Sequence, residues 1–535
     1  KGVDEMLSAI TFLPLLGALI ILFLNKNDKE YIKITSLISS GISLILSLIV
    51  YVGAQTKFFP LTGGKTFELF QWEGPFSWIR FGALEQNGFS INYFVGVDGI
   101  SLPIVVLTTL LTFLSILYSG KYITKRIKEY FFLFLLLETG MLGVFISLDF
   151  FLFYVFWEVC LVPMYFLIGI WGGPKKEYAA IKFFLYTLVG SMGMLVAILI
   201  LFFNTSPHTL NMLEIMAQNP LAGKFALGAL TFWLMFIGFA IKVPMFPFHT
   251  WLPLAHVEAP TAGSVILAGI LLKMGTYGFL RVVLPMMPEA SAVFAFPLVI
   301  LAFISIVYGS YCALAQTDLK KLVAYSSVNH MGYVMLGIAA SYAATPAGND
   351  AMQKIINFKA TALNGAVMQM VSHGLITGAL FFLVGVIYER AHTRDLNSFG
   401  GLGVNLPVYA GFFMLFAMAS LGLPGLCGFV GEFLVFLGAY GVGPYATGLI
   451  IPLQIIVGLS LLGVVLTAGY MLWSVQRIFM GPLNEKWKNL SDMSVVELGS
   501  LTPLMVLTVL LGIYPALVID MINQSVLYIL KTLNL

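Results

Sequence analysis

Seven ionisable side chains lie inside stretches of this sequence that are otherwise almost entirely apolar. They are Glu138 in FLLLETGMLG, Glu158 in FYVFWEVCLVPM, Lys242 in AIKVPMFPFHTWLP, Lys273 in LAGILLKMGTYG, His330 in SSVNHMGYV, His373 in MVSHGLITG and Glu432 in GFVGEFLVF. Two further histidines, His249 and His256, follow Lys242 in HTWLPLAHVEAPTAG. Such side chains accept and release protons, so a row of them predicts proton transfer through an apolar medium.

Energetics favour this chemistry, although each residue also has a structural interpretation. An ionisable group in a lipid-embedded helix costs at least ~2.5–3.5 kcal/mol, and such groups usually mark function. A lysine and a glutamate about 4 Å apart interact by roughly 4 kcal/mol at an effective dielectric of 20, enough to decide whether the lysine holds its proton. The structural alternatives are ion pairs or snorkelling ends for the lysines, Glu158 and Glu432, and a helix–helix hydrogen bond for Glu138. His330 and His373 could be satisfied core histidines, and His249 and His256 could cap a broken helix.

Prolines interrupt the chain beside two of these charges. Pro244 and Pro247 follow Lys242 directly, and Pro424, in LGLPGLCG, precedes Glu432. A broken helix inside a membrane frees backbone carbonyls and admits water. We therefore expect Lys242 to be a switchable proton site, with the break supplying water and a hinge.

The elements that carry these residues are predicted to be membrane-crossing helices. The chain has 535 residues, of which 59% are hydrophobic and 10% are charged, whereas soluble domains carry about 25% charged residues. Apolar segments of helical length recur throughout, which predicts an all-α polytopic membrane protein. About fourteen spans are expected, near 6–24, 32–53, 98–118, 129–148, 150–171, 180–203, 225–246, 260–284, 291–315, 321–342, 362–388, 406–440 (broken), 447–473 and 499–523.

The distribution of basic residues predicts the orientation. Of the 28 lysines and arginines, seventeen fall in one set of alternate loops, nine fall in the other set or at segment ends, and two remain. The positive-inside rule then places both termini on the outer side, in agreement with an even number of spans. Lys242 and Lys273 are the two basic residues left in the membrane by this assignment.

The two interrupted helices are five spans apart, which predicts an inverted repeat. Spans 4–8 (129–284) and 9–13 (291–473) would form two five-helix units of opposite orientation, each with one broken helix around a midplane site. Residues 1–128 would add spans 1–3 and a long outer loop, 54–97, that caps the bundle with short strands or an amphipathic segment. Residues 474–535 would add an inner-side loop and span fourteen.

Several function classes are excluded by what the sequence lacks. Its three cysteines form no CxxC pair, which excludes an iron–sulfur or zinc site of that type. Neither a Walker loop nor a dinucleotide-binding GxGxxG in a βαβ unit is present, and no basic stripe indicates nucleic-acid binding. The first apolar stretch lacks a basic flank and a cleavage site, so we interpret it as a span and not a signal peptide.

Four long motifs carry a resemblance to a known family. They are WEVCLVPMYFLIGIWG, IKVPMFPFHTWLPLAHVEAPTAGSVILAGILLK, QTDLKKLVAYSSVNHMGYV and SHGLITGALFFLVGVIYERAHTR. Over spans 4 to 13 they resemble the antiporter-like subunits of respiratory complex I. Within that family the chain is most similar to the chain M group, the counterparts of mitochondrial subunit 4. The YERAHTR segment and Glu432 point there, since the sister chains L and N carry a lysine in place of Glu432.

The resemblance implies a proton channel driven remotely by quinone reduction in a proton-pumping NADH:quinone oxidoreductase. Glu158 and Lys242 would be the coupling pair, Lys273 the central relay assisted by His330 and His373, and Glu432 the site that exchanges with the outer side. Many relatives have an aspartate where this chain has Leu254, so proton uptake from the cytoplasm would be arranged differently here.

It also implies the surroundings of the chain. No cofactor would be bound by this chain and no redox chemistry would occur in it; NADH, FMN, iron–sulfur clusters and quinone would belong to other subunits. Partners would be the other membrane-arm subunits, including chains L and N, and lipids, in a bacterial inner membrane. The alternatives are a subunit of a multi-subunit cation (Na+)/proton antiporter and, third, a passive scaffold.

Overall fold

The structure is a computed structural model that describes residues 6–55, 71–81, 89–345 and 349–532. Parts of the predicted outer loop, 56–70 and 82–88, lie outside the described residues, as does Lys1. The helices are α1 (Met6–Phe23), α2 (Lys29–Gln55), α3 (Ser101–Tyr122), α4 (Ile127–Ile146), α5 (Phe150–Val159), α6 (Leu161–Trp171), α7 (Lys176–Asn204), α8 (Met212–Gln218), α9 (Phe225–Lys242), α10 (Leu252–Glu258), α11 (Thr261–Ile266), α12 (Leu272–Gly278), α13 (Leu284–Met286), α14 (Pro288–Leu314), α15 (Leu319–Tyr342), α16 (Asn349–Ala391), α17 (Pro407–Ser420), α18 (Cys427–Val442), α19 (Leu453–Ser460), α20 (Leu462–Phe479), α21 (Val495–Ile513) and α22 (Ala516–Thr532).

Thirteen helical segments of the described chain are long and apolar enough to cross a membrane. They do not include α15, although its 24 residues suffice in length, because Asn329, His330 and several serines reduce its hydropathy. Nor do they include the 14-residue α17, which continues through a turn into α18. The protein is therefore a multi-pass helical membrane protein, in agreement with the sequence prediction.

The bundle has two ends, which we name by their contents. At the basic face, the loops that carry Lys121–Lys128, Lys175, Lys320 and Arg390–Arg394 meet; for example, Trp171 Nε1 donates to Lys125 O. The opposite end, the hairpin face, carries the antiparallel strands β1 (Gln71–Phe81) and β2 (Phe89–Val97). The predicted outer loop thus includes short strands, and β2 docks on the bundle where Leu148 N donates to Phe94 O at 2.9 Å.

The prediction of a span at 499–523 is wrong at its C-terminal end. The membrane-crossing helix α21 ends at Ile513, and the separate helix α22 begins at Ala516, one residue after Pro515. α22 contacts the hairpin-face ends of α2, α3 and α16. These contacts are Tyr51 Oη to Leu517 O (2.6 Å), Gly99 N to Ser525 Oγ (2.8 Å) and Asn364 Nδ2 to Asn523 Oδ1 (2.7 Å).

Both predicted helix interruptions are present, and they lie in segments that run in opposite directions. α9 starts at the hairpin face and ends at Lys242, after which residues 243–251 form turns before α10. α17 starts at the basic face and ends at Ser420, and residues 421–426 lead into α18. A further irregularity follows in the buried segment Thr261–Met286, where π-helical turns occupy Leu267–Leu271 and Phe279–Val283. π-Turns inside α-helices frequently mark functional sites.

Glycines allow α16 and α18 to touch backbone to backbone. A Cβ atom at Gly438 would lie 2.2 Å from Ala362 N, and one at Gly441 would meet the ring of Phe358. Small residues at such positions are what allow close packing of helices in a membrane. This contact fixes α18, and hence Glu432, against α16.

The contact predicts a difference between two glycine-to-alanine substitutions. G438A should lower the unfolding temperature of the purified protein by several degrees, because the new methyl group overlaps the α16 backbone. G411A is the matched control: residue 411 is also helical, but a Cβ there meets nothing within 4 Å, so it should be neutral or stabilising by up to ~1 kcal/mol. Equal unfolding temperatures for the two variants would contradict the importance of the α16–α18 contact.

Candidate functional site

Lys273 lies at the centre of the bundle, where a π-turn supplies it with a backbone partner. Its side chain is 0% exposed, and Nζ lies 2.6 Å from Ala268 O, a carbonyl of the π-helical turn. Nζ also lies 2.6 Å from Nδ1 of His373 on α16. The neighbouring Nε2 of His373 has no hydrogen-bond partner among the described residues. The structure thus brings together the predicted central relay and one predicted assisting histidine.

His330 continues this row towards Glu432. The His330 and His373 rings are 5.7 Å apart between centroids. Nδ1 of His330 lies 3.3 Å from Oε1 of Glu432, and Nε2 lies 3.1 Å from Oγ of Ser420 at the second helix break. Gln369 Nε2 lies between them, 3.4 Å from His330 Nδ1 and 3.5 Å from Glu432 Oε1. Protons can therefore pass between these groups by short steps.

On the other side of Lys273, His256 lies between the row and a cavity at the basic face. His256 is buried, stacks on Phe381 with centroids 4.5 Å apart, and neither ring nitrogen has a partner among the described residues. Lys320 and Lys273 are both close enough to act on it electrostatically. The cavity measures about 290 Å³, and its lining includes Tyr118, Tyr122, Glu258, Lys320, Glu389 and Arg394. That volume holds several water molecules.

Lys242 and Glu158 lie near each other but are not joined by an ion pair within the described residues. Lys242 Nζ sits over the Trp157 ring, 5.2 Å from its centroid, and over Phe183 at 5.8 Å. Nζ has no hydrogen-bond partner there, nor has Oε1 of Glu158. Glu158 and Cys160 are nevertheless close enough to act on Lys242 electrostatically. The aromatic faces stabilise the ammonium by cation–π attraction, in the place of a carboxylate.

Glu138 and His249 stand apart from the row. Glu138 is 0% exposed, and neither carboxyl oxygen has a hydrogen-bond partner among the described residues, so the helix–helix bond considered for it is not formed there. His249 is buried beside the first break and packs on Phe246 and Tyr308, with ring centroids 5.9 and 5.3 Å away. The contacts of His249 are thus aromatic rather than with Lys273 or His373.

Burial among the basic residues of the described chain extends beyond Lys242 and Lys273, the two that the sequence assigns to the membrane. Arg281 is buried in the π-turn Phe279–Val283 and forms an ion pair with Asp98 at the start of α3. Lys320 is buried and lies 2.6 Å from Ala259 O. Lys359 is 0% exposed within α16, which begins thirteen residues before the predicted span.

Sequence reasoning also missed the neutral polar partners Gln369 and Ser420. Single neutral polar residues in apolar spans are common, so their meeting with Glu432 depends on helix packing that no local pattern reports. The sequence did contain a signal that Lys359 is buried. Lys359 falls on the apolar stripe formed by Met352, Ile355, Ile356 and Leu363, at the helical spacing expected of a buried face.

Together these features define a class: polytopic helical membrane proteins with a continuous internal row of lysine, histidine and glutamate between two interrupted helices. A family model described as NADH:quinone oxidoreductase/Mrp antiporter, TM, matches residues 147–458. A second, described as NADH-ubiquinone oxidoreductase chain 4, amino terminus, matches residues 76–148. The chain belongs to the NADH:quinone oxidoreductase/Mrp antiporter family of membrane subunits.

Individual relatives match along almost the whole chain. NADH-quinone oxidoreductase subunit M of Rhodobacter capsulatus is 42% identical, covering 99% of this chain and 97% of the relative. NADH-ubiquinone oxidoreductase chain 4 of Marchantia polymorpha is 38% identical, covering 97% and 96%. A chain of respiratory complex I from Thermus thermophilus with bound NADH superposes with a TM-score of 0.81 at 27% identity, covering 99% of each chain.

The geometry predicts opposite stability effects for two charge removals. K242M should leave the unfolding temperature unchanged or raise it, because Nζ has no hydrogen-bond partner there and the Met side chain keeps the packing against Trp157. D98N should destabilise by ~3–5 kcal/mol, because it leaves the buried Arg281 guanidinium without its counter-ion. Thermal unfolding of the two purified variants tests this. Comparable destabilisation by K242M would make Lys242 a structural residue.

Proposed function

We propose that this chain is a proton-translocating membrane-arm subunit of an NADH:quinone oxidoreductase, with no redox chemistry of its own. The observation that carries the proposal is the row from Lys273 through His373 and His330 to Glu432, with the buried His256 close enough to Lys273 to be influenced by its charge. Buried groups with short separations and few fixed partners suit proton relay better than structural pairing, because structural ion pairs satisfy both members. The relatives that match over nearly the full length are named as subunits of such oxidoreductases.

Proton uptake would begin in the cavity at the basic face. Water that entered this cavity and the carboxylates of Glu258 and Glu389 would collect protons. Glu258 is held at the cavity because it accepts a hydrogen bond from Lys175 N at 2.9 Å. His256 lies two residues before Glu258 on α10. Neither of its ring nitrogens has a hydrogen-bond partner among the described residues, so both are available to receive and pass on a proton. This route reaches Lys273 without an acidic residue at position 254, where the chain has leucine.

Glu158 and Lys242 would control whether Lys273 gives up its proton. In the described conformation Lys242 rests on aromatic rings, with Glu158 near but not hydrogen-bonded to it. Closing that pair would stabilise charge on Lys242, and a charged Lys242 repels a proton on Lys273. α12 packs against the end of α9, since a Cβ at Gly275 would meet Phe239 O and the Val243 side chain. Glu158 is partly exposed, which suits communication with a neighbouring subunit.

Release would occur through Glu432 at the second break. His330 hands a proton over the 3.3 Å contact, with Gln369 and Ser420 holding both side chains in place. The opposite directions of the two broken segments support the inverted-repeat organisation, with units 129–284 and 291–473 flanked by 1–128 and 474–535. The basic face would be cytoplasmic in a bacterial inner membrane, with both termini outside.

NADH, FMN, iron–sulfur clusters and quinone would be held by other subunits of the complex. Partners would be the membrane-arm chains, including the related chains L and N, together with lipids. The second candidate function is a subunit of a multi-subunit cation (Na+)/proton antiporter, which the matching family description includes. Glu432, in place of a lysine, favours the first function.

The first test is E158Q in inverted membrane vesicles that carry the assembled complex. NADH oxidation and NADH-driven acidification are recorded together, and E158Q should abolish most acidification while oxidation is slowed or uncoupled. E177Q, at an exposed glutamate on α7, is the control and should match wild type. Wild-type acidification by an assembled E158Q complex would refute the role of Glu158, and sodium-dependent exchange would then favour the antiporter.

The uptake route makes its own prediction. H256F preserves the stacking on Phe381 but removes both ring nitrogens, so acidification should fall at least several-fold while the complex still assembles. H208F is the matched control, because His208 contacts Phe202 O near the hairpin face, far from the row in sequence and structure. Unaltered acidification in H256F vesicles would show that protons reach Lys273 by another path.

A further inference from the structure

Lys359 is a buried cation that the proton path described so far does not use. It lies in the first third of α16, its side chain is 0% exposed, and Nζ has no hydrogen-bond partner among the described residues. An unpaired lysine in such a place costs free energy and stabilises nothing in return. Its presence therefore calls for a role other than holding the fold together.

Packing places Lys359 on the hairpin-face side of Glu432. α18 pairs with α16 in register: Gly431 lies against Gln369, Gly438 against Ala362 and Gly441 against Phe358. Lys359 thus sits between the levels of Gly438 and Gly441. At 1.5 Å rise per residue these levels are roughly 9–14 Å beyond Glu432 along α18.

The route from Lys359 to the hairpin face is short. Lys354, five residues earlier on α16, is already exposed, which corresponds to about 7–8 Å of helix. Side chains on a helix lean towards its N-terminus, and α16 begins at the hairpin face. The Lys359 side chain therefore leans away from Glu432 and towards water.

We propose that Lys359 is the terminal relay of this chain, which takes protons arriving from Glu432 and releases them at the hairpin face. This rests on the proposed proton-translocating function and extends it by one site. The proton leaves the Glu432 carboxyl, crosses the intervening distance on water, binds the neutral Lys359 amine and is then lost to bulk water. The flexible Lys359 side chain can itself cover part of the distance, because it can point towards Glu432 or towards the hairpin face.

The test compares three substitutions in inverted vesicles carrying the assembled complex. K359M removes the proton site, K359R keeps a charge that does not titrate, and K359H keeps a titratable group. K354M, at the exposed lysine on the same helix, is the control. Because Lys359 Nζ makes no hydrogen bond in the described structure, these variants should assemble, which native gels verify.

The expected result is that K359M and K359R lose at least half of the acidification per NADH oxidised, relative to K354M, and that K359H retains most of it. If K359R restored acidification and K359H did not, Lys359 would supply only a fixed charge, and the proposal would be overturned. Wild-type acidification in all three variants would overturn it as well. E158Q, measured in parallel vesicles, separates the two proposals. Loss of acidification in E158Q with no loss in K359M refutes only the terminal relay. No loss in E158Q refutes the role of Glu158, and absence of NADH-driven acidification in the K354M control itself would refute the proposed function.

Discussion

The contact between Lys273 Nζ and Ala268 O is the interaction on which the rest of the site depends. An ammonium group at the centre of an apolar bundle needs a dipole to replace water, and a regular α-helix has no carbonyl to spare. The π-turn Leu267–Leu271 provides one. With one side of Nζ held by the backbone, the other faces His373, so the lysine is solvated without being locked into an ion pair.

Both proline interruptions also provide partners for a buried ionisable side chain. The first break leaves Lys242 on aromatic faces, and the second brings the Ser420 hydroxyl to His330. At the first break the ammonium group rests on aromatic rings instead of a carboxylate, and at the second His330 has both the Ser420 hydroxyl and the Glu432 carboxylate within 3.3 Å. By contrast, Arg281 and Asp98 form a close buried ion pair near the hairpin face. That pair holds the π-turn Phe279–Val283 against the start of α3. Two kinds of buried charge are thus present. The Lys, His and Glu side chains of the row can exchange protons, whereas the Arg281–Asp98 pair joins two helical segments.

The row itself could be predicted from sequence because charged residues in long apolar stretches are rare and costly. The breaks could be expected at Pro244, Pro247 and Pro424, because a proline removes a backbone hydrogen-bond donor and its ring clashes with the preceding turn. What sequence could not supply was the pairing across helices. The predicted contact of Glu158 with Lys242 is replaced by Trp157, which differs from Glu158 by one position on α5. The burial of Lys359 was missed because the polar first turns of α16 reduce its hydropathy. The end of the last span was misplaced because apolar residues continue on both sides of Pro515, as far as Asp520.

α16 has a mechanical consequence beyond its side chains. As one uninterrupted helix of 43 residues it is about 65 Å long, roughly twice the hydrocarbon thickness of a bilayer. Glu389 near one end lines the cavity, His373 sits at the centre, and Lys359 lies near the other end. Because one stiff helix carries all three groups, any tilt or axial shift of α16 would displace Glu389, His373 and Lys359 together. The cavity, the centre of the row and the hairpin face are therefore mechanically coupled through a single element.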